Sequence, residues 1–225
     1  PYGMIGESAA AWRLRGELAF AARTDHHVLL GGASGVGKEL AAHLGDVARL
    51  RIQVFRDFPY LYDGTAEYEE KYLQTYLDCS TSVVVLALDG DTIVGASTAI
   101  PMQHETADFQ EPLLRAGYDP EKVFYCAESV LLPAYRGSGL GFRFFDEREA
   151  HAREVGDFDY SCFCAVERPA DHPRRPADYR PLHSLWNKRG YQEQPLTTTY
   201  RWKDLDEPHE TGKTMTYWFK SMRPA

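Results

Sequence analysis

The chain has 225 residues, 44% of them hydrophobic, which supports one large domain with a sizeable core and excludes a disordered chain. Its 25 Lys and Arg against 33 Asp and Glu give a net charge of −8. That balance argues against nucleic-acid or anionic-membrane partners and suits cationic small molecules.

No apolar run approaches the roughly 18 residues of a membrane span. Four cysteines, Cys79, Cys126, Cys162 and Cys164, contain no CxxC pair and read as reduced thiols of a cytoplasmic protein. The chain begins at Pro1 without a signal-peptide core, as a fragment or a processed chain would.

Residues 7–23 are rich in Ala and Leu, and Trp12, Leu14, Leu18 and Phe20 form an imperfect helical stripe. "HHVLL" reads as a short strand. "ELAAHLGDVARLRIQVFRDF" then sets Leu40, Leu44, Val47, Ala48, Leu50 and Phe55 on one helical face, stopped by Pro59. A second amphipathic helix, "AEYEEKYLQTYL", turns Tyr68, Tyr72, Leu73, Tyr76 and Leu77 inward.

The period then changes from helical. "SVVVLALDGDTIVGASTAI" is two β-rich runs around Asp89-Gly90, a hairpin signal. A polar, Pro-bearing insertion covers about 103–121. "KVFYCAESVLLP" is a strand closed by Pro133, "GLGFRFFDEREAHAREV" a helix, and "DYSCFCAV" another strand. A Pro-, Arg- and Asp-rich loop (167–181) leads to a short helix, "LHSLWNKRGY", and two late strands, "TTTYRW" and "TMTYWFK". Such an order builds a mixed α+β, layered fold on one sheet.

Two glycine runs compete for phosphate. The first, "GASGVGK" (32–38), satisfies GxxxxGK. Residues 1–44 resemble the start of the AAA+ ATPase domain of bacterial enhancer-binding transcription activators, with Glu39 where other P-loop proteins place a Mg²⁺-binding Ser or Thr. The likeness ends near Leu44, before any acidic metal-binding strand, sensor arginine or lid. Residues 1–26 are therefore expected to be a leader or partial P-loop-ATPase-like remnant, and 27–225 the working domain. In that domain "GASGVGK" joins the first strand to the first helix.

The second run, "ESVLLPAYRGSGLG" (128–141), ends a strand at a proline and opens a helix through Arg-Gly-x-Gly-x-Gly. Glycines let backbone N–H groups converge, the helix N-terminus adds partial positive charge, and Arg136 adds a full one. Such a loop holds a pyrophosphate. Its position deep in the chain does not fit a dinucleotide-binding fingerprint.

Arg136, Gly139 and Gly141 match the R/Q-x-x-G-x-G/A motif of the GNAT superfamily of acyltransferases, which the chain resembles from about residue 27 to 222. "LHSLWNKRGY" resembles that family's short helix ending in Gly-aromatic, here Gly190-Tyr191. The resemblance implies an α/β/α layered, mixed and mostly antiparallel sheet, splayed between the fourth and fifth strands. It also implies acetyl-CoA as co-substrate, its pyrophosphate on the amides of Arg136, Gly137, Ser138, Gly139, Leu140 and Gly141. The pantetheine arm would pair with the backbone near Val130 and Leu131, and an amine would attack the thioester directly.

An ordinary amine is protonated at neutral pH, so the reaction needs a base. Glu128, on the strand before the loop, is the candidate; a structural or substrate-anchoring carboxylate is the alternative. An N–H near Leu131 would hold the oxyanion. The family's tyrosine acid, four residues before the last glycine, is replaced by Trp186. Tyr179 and Tyr191 are candidates for that role, and a thiolate of pKa about 8.5 can also leave without help.

His183 reads as a surface or packing residue. His26, His27 and His172 lack partners at ligand spacing, and no metal site is expected.

The partner expected is a small-molecule or peptide amine, with no nucleic acid and no membrane; a homodimer is compatible. A non-catalytic acyl-CoA-binding module and a nucleotide hydrolase are the alternatives.

Overall fold

A computed structural model describes residues 27–32 and 37–223, with side chains from His43 onward. The expected helix at 7–23 and residues 33–36 of the first glycine run lie outside the described residues. In chain order the elements are β1 (His27–Gly32), α1 (Gly37–Phe55), α2 (Ala66–Asp78), β2 (Val83–Asp89), β3 (Thr92–Pro101), α3 (Ala107–Arg115), β4 (Val123–Leu131), α4 (Leu140–Val155), β5 (Tyr160–Val166), α5 (His183–Lys188), β6 (Gln192–Trp202) and β7 (Thr211–Ser221).

The strands form one seven-stranded sheet in the order β1-β2-β3-β4-β5-β7-β6. Every neighbouring pair is antiparallel except β4 and β5. Those two are parallel and pair only over Val123–Tyr125 against Tyr160–Cys162. Beyond Tyr125 they part, while β3 continues to hold one and β7 the other. This is the splay expected between the fourth and fifth strands.

The uninterrupted run Val83–Leu88 is apolar because both faces of β2 are covered. Val84, Leu86 and Leu88 pack with Val47, Leu50 and Leu73 of α1 and α2. Val83, Val85 and Ala87 pack with Leu140, Phe144 and Phe145 of α4. Successive side chains alternate across a sheet, so one apolar strand feeds two cores. The hairpin turns at Gly90, whose φ of 59° suits glycine.

Two expectations need correction. Tyr68 is not inward: it is 44% exposed, and the buried residue of that turn is Glu69, at 0%. The polar insertion holds the nine-residue helix α3, which buries Phe109, Pro112 and Leu113. Proline inside a helix leaves the carbonyl four residues earlier without its donor. Here Thr198 of β6 supplies one, its hydroxyl donating to the Asp108 carbonyl at 2.6 Å. Tyr217 of β7 likewise donates to the Phe109 carbonyl at 2.7 Å. Tertiary donors keep this segment helical around its proline.

Candidate active site

The end of β4 feeds the glycine loop. Leu132 donates to the Val94 carbonyl at 3.0 Å, and Pro133–Tyr135 make one turn of 3₁₀ helix. Gly137 and Gly139 follow with φ of 79° and 94°, a left-handed conformation that side chains resist. A Cβ added at Gly137, Gly139 or Gly141 would meet no atom within 4 Å, so the loop faces open space. Gly139 caps α4, and the buried Leu140 anchors its first turn.

The first amides of a helix have no partner within it, which is the physical basis of anion binding at this place. Among the described residues, the amides of 137–141 donate to no carbonyl outside a helix or strand. Around them, Ser138 donates to the Tyr135 carbonyl at 2.6 Å and Tyr135 to Asp89 at 2.6 Å. Arg136 is exposed beside the loop, its Nε donating to the Leu131 carbonyl at 3.2 Å. Arg136, Gly137, Ser138, Gly139, Leu140 and Gly141 are thus brought together at one end of the splay, where Val130 and Leu131 still pair with Ala96 and Gly95 of β3.

A bulge aims Glu128. Thr98 of β3 faces Glu128 and Ile100 faces Tyr125, two steps on one strand against three on the other. The extra residue shifts the alternation. Glu128 then joins Tyr125 on the face covered by α1 and α2. Its carbonyl accepts from Ser97 Oγ at 2.8 Å and from buried Arg148 of α4 at 3.1 Å, which satisfies the backbone where regular pairing lapses.

On that face lies a cavity of about 360 Å³ between α1, α2, α3, β4 and β6. Its walls are rich in aromatic side chains, with Phe55, Tyr60, Tyr72, Tyr125, Tyr200 and Trp202 among them. Its lining carries five carboxylates, Asp63, Glu69, Glu105, Glu128 and Glu210, against three cations, Arg51, Arg201 and Lys203. Arg51 is ion-paired with both Glu69 and Glu128, and its guanidinium lies over the rings of Tyr72 at 4.3 Å and Phe55 at 5.1 Å. Burial alone would lower the Arg51 pKa, but Glu128, Tyr72 and Glu69 outweigh it and hold the group well above its ordinary value.

The other Glu128 oxygen accepts the Tyr72 hydroxyl at 2.7 Å, and Tyr72 lies 2.8 Å from the Tyr76 hydroxyl. Burial, then Glu128, push both phenols upward.

Glu105 stands apart from this arginine. Burial raises its pKa from 4.5 to about 7; the Thr106 amide works against the rise, Glu128 adds to it, and Tyr76 opposes it. Among the described residues no cation is paired with it.

The two tyrosines expected as acids lie elsewhere. Tyr191 is fully buried on the opposite face of the sheet, with Phe145 and Phe163. Its hydroxyl is 2.8 Å from Ser161 Oγ and donates to Glu149 at 3.3 Å, and burial pushes its pKa well up. Tyr179 packs edge-on against Phe58 at 4.7 Å, with Arg175 over its ring, and is absent from the cavity wall. Trp186 packs on Trp218 and Phe163, and His183 on both tryptophans.

Of the two segments expected to line the acceptor pocket, the 103–121 insertion does so through His104, Glu105, Thr106 and Phe109. The 167–181 loop does not reach the wall. Its Arg168 braces the wall from behind, binding the carbonyls of Pro59 and Tyr60 and the carboxylate of Asp204.

Arg51, Glu69 and Glu105 escaped the sequence reading. A signal existed for the first two. Arg51 falls on the stripe of Ala48 and Phe55, and Glu69 on that of Leu73 and Tyr76, so each is a charge at a core position. Charges there require a partner.

The family model "Acetyltransferase (GNAT) family" matches residues 52–176, more than half of the chain. Solved structures of low identity share the fold. An acetyltransferase from Thermus thermophilus is 16% identical, with a TM-score of 0.51 over 87% of this chain and 97% of that one. The yncA protein of Salmonella typhimurium, solved with its cofactor acetyl-CoA, is 9% identical, with a TM-score of 0.54 over 88% and 96%. A polyamine N-acetyltransferase of Drosophila melanogaster, which forms N-acetylagmatine, is 12% identical, with a TM-score of 0.52 over 87% and 100%. No curated protein sequence matches the chain. The likeness of residues 1–44 to an AAA+ ATPase has no counterpart among these matches.

Proposed function

The chain belongs to the GNAT acetyltransferase family and is an acyltransferase; from that premise we propose that it moves the acetyl group of acetyl-CoA to an amine seated in the aromatic cavity. The observation that carries this is positional: one strand, β4, ends in the glycine loop and also carries Glu128 into the cavity wall. A donor on the loop and an acceptor in the cavity would thus meet along the unpaired edge of β4.

The residues present suit the coenzyme. The amides of 136–141 would hold its pyrophosphate, helped by Arg136, and the backbone near Val130 and Leu131 would align its pantetheine arm. When bound it supplies an activated acetyl thioester. An N–H near Leu131 would take the oxyanion. With Tyr191 buried on the opposite face of the sheet and Tyr179 outside the cavity lining, the thiolate, of pKa about 8.5, would leave without an acid.

Aromatic walls and an excess of five carboxylates over three cations in the lining favour a cationic amine on an apolar body. The Drosophila enzyme, whose product is an acetylated cationic amine, makes that class a reasonable starting point. The proton acceptor belongs to the cavity, with Glu128 nearest the coenzyme strand and Glu105 across from it. Residues 1–26 are proposed as a leader, with the first glycine run joining β1 to α1 and no nucleotide turnover. Four free cysteines suit a reducing, cytoplasmic compartment.

Thermal denaturation with ligands tests the assignment. Acetyl-CoA should raise the melting temperature and ATP with Mg²⁺ should not; the reverse pattern would overturn it.

A further inference from the structure

Glu128 is held by an ion pair and one hydrogen bond. One oxygen faces the Arg51 guanidinium and the other accepts the Tyr72 hydroxyl. Both oxygens are thus turned toward protein partners, leaving neither free for an acceptor's ammonium group. Arg51 bridges Glu128 and the completely buried Glu69, through Nη1 and Nε respectively.

Glu105 sits in the same wall with the opposite surroundings. The groups around it are Glu128 and Tyr125 from β4, Tyr72 and Tyr76 from α2, Tyr200 from β6, the thiols of Cys162 and Cys164 from β5, and its chain neighbour His104 in the same cavity wall. Among the described residues none forms an ion pair with it. Its carboxylate is oriented by the Thr106 amide at 3.4 Å, and its backbone carbonyl is held by Gln110. Tyr76, already hydrogen-bonded to Tyr72, supports it from α2.

Resting on the acetyl-transfer reading above, we propose that Glu105, rather than Glu128, takes the proton from the acceptor's ammonium group. One N–H bond breaks and one carboxyl O–H bond forms, which frees the nitrogen lone pair. That pair forms the C–N bond to the thioester carbon, and the C–S bond breaks with its electrons staying on sulfur. The second nitrogen proton goes to the thiolate, and Glu105 returns its own to solvent. The sum is ammonium plus acyl thioester giving amide, thiol and one proton. Glu128 is a positioning residue in this scheme: pinned by Arg51 and Tyr72, it holds the bulged strand and keeps the wall negative. An unpaired base of pKa about 7 is half ionised at neutral pH, where proton transfer works best.

The test uses the full chain with acetyl-CoA and three primary amines: 2-phenylethylamine, 1,4-diaminobutane and a short unblocked peptide. Thiol release is followed from about pH 5.5 to 9. For wild type, kcat should fall on the acid side with a midpoint near 7. Glu105→Gln should lower kcat about 100-fold and remove that limb, Glu105→Asp should restore part of the rate, and calorimetry should find acetyl-CoA bound as in wild type. Glu128→Gln should keep the limb. If Glu105→Gln keeps both rate and limb, or if Glu128→Gln alone loses the limb, the assignment to Glu105 is wrong. Wild-type chain that releases no thiol with any of the amines would overturn acetyl transfer itself, and Glu105's role with it.

Discussion

Tyr72 donates its hydroxyl proton to Glu128 over 2.7 Å and so ties α2 to the bulged part of β4. The bond connects the helix that walls the cavity with the strand that leads to the glycine loop.

Removing that donor should loosen the wall without dismantling it. Tyr72→Phe keeps the ring beneath Arg51 and loses the hydrogen bond to charged Glu128 together with the contact to the Tyr76 hydroxyl. The expected cost is about 1.5–3 kcal/mol, read from urea unfolding. A cost near zero would mean that the bond contributes nothing to the fold.

Arg51 should matter more. Replacing it with Met leaves Glu69 and Glu128 buried without their cation, a loss of about 3–5 kcal/mol. The double variant Arg51→Met, Glu69→Gln removes one of the two stranded charges and should be more stable than the single variant. Chemical denaturation of both compares them directly.

Stability should also carry the mark of Glu105. Its folded pKa, about 7, lies above the ordinary 4.5, so the folded state binds the extra proton between those values. Stability is then full below about 4.5, declines as pH rises, and levels off above about 7. Glu105→Gln cannot titrate. It should lack this decline and exceed wild type in stability near pH 8, as unfolding curves across that window would reveal.

At the glycine loop, Arg136→Ala should weaken acetyl-CoA about tenfold, equivalent to about 1.4 kcal/mol, with little change in thermal stability. Gly139→Ala places a side chain at φ 94° and should cost about 1–2 kcal/mol as well as coenzyme affinity. Calorimetric titration with acetyl-CoA separates the two effects. Equal affinity in Arg136→Ala would remove that residue from phosphate binding.

The glycine loop was legible because its signal is local: strand, proline, arginine and spaced glycines lie within fourteen residues, 128–141. The apolar run of β2 and the helical stripes on α1 and α4 were legible for the same reason, whereas the division of that run between two cores needs the partners on both faces. The acceptor cavity was not. Glu105 follows β3, Glu128 lies on β4 and Arg51 on α1, and only the fold brings them to one wall. Even Glu128's direction depends on a bulge, which no residue type announces. Helix α3 was hidden because its Pro112 breaks the local rule, and the compensation comes from Thr198, eighty-six residues later.

The central claim, acetyl transfer from acetyl-CoA to an amine, is tested most directly by mass spectrometry of the amine panel after incubation with the full chain and acetyl-CoA. The account predicts an acetylated amine formed one for one with free coenzyme thiol, and no product without the protein. Coenzyme binding with every amine left unmodified, or turnover of ATP in its place, would contradict it.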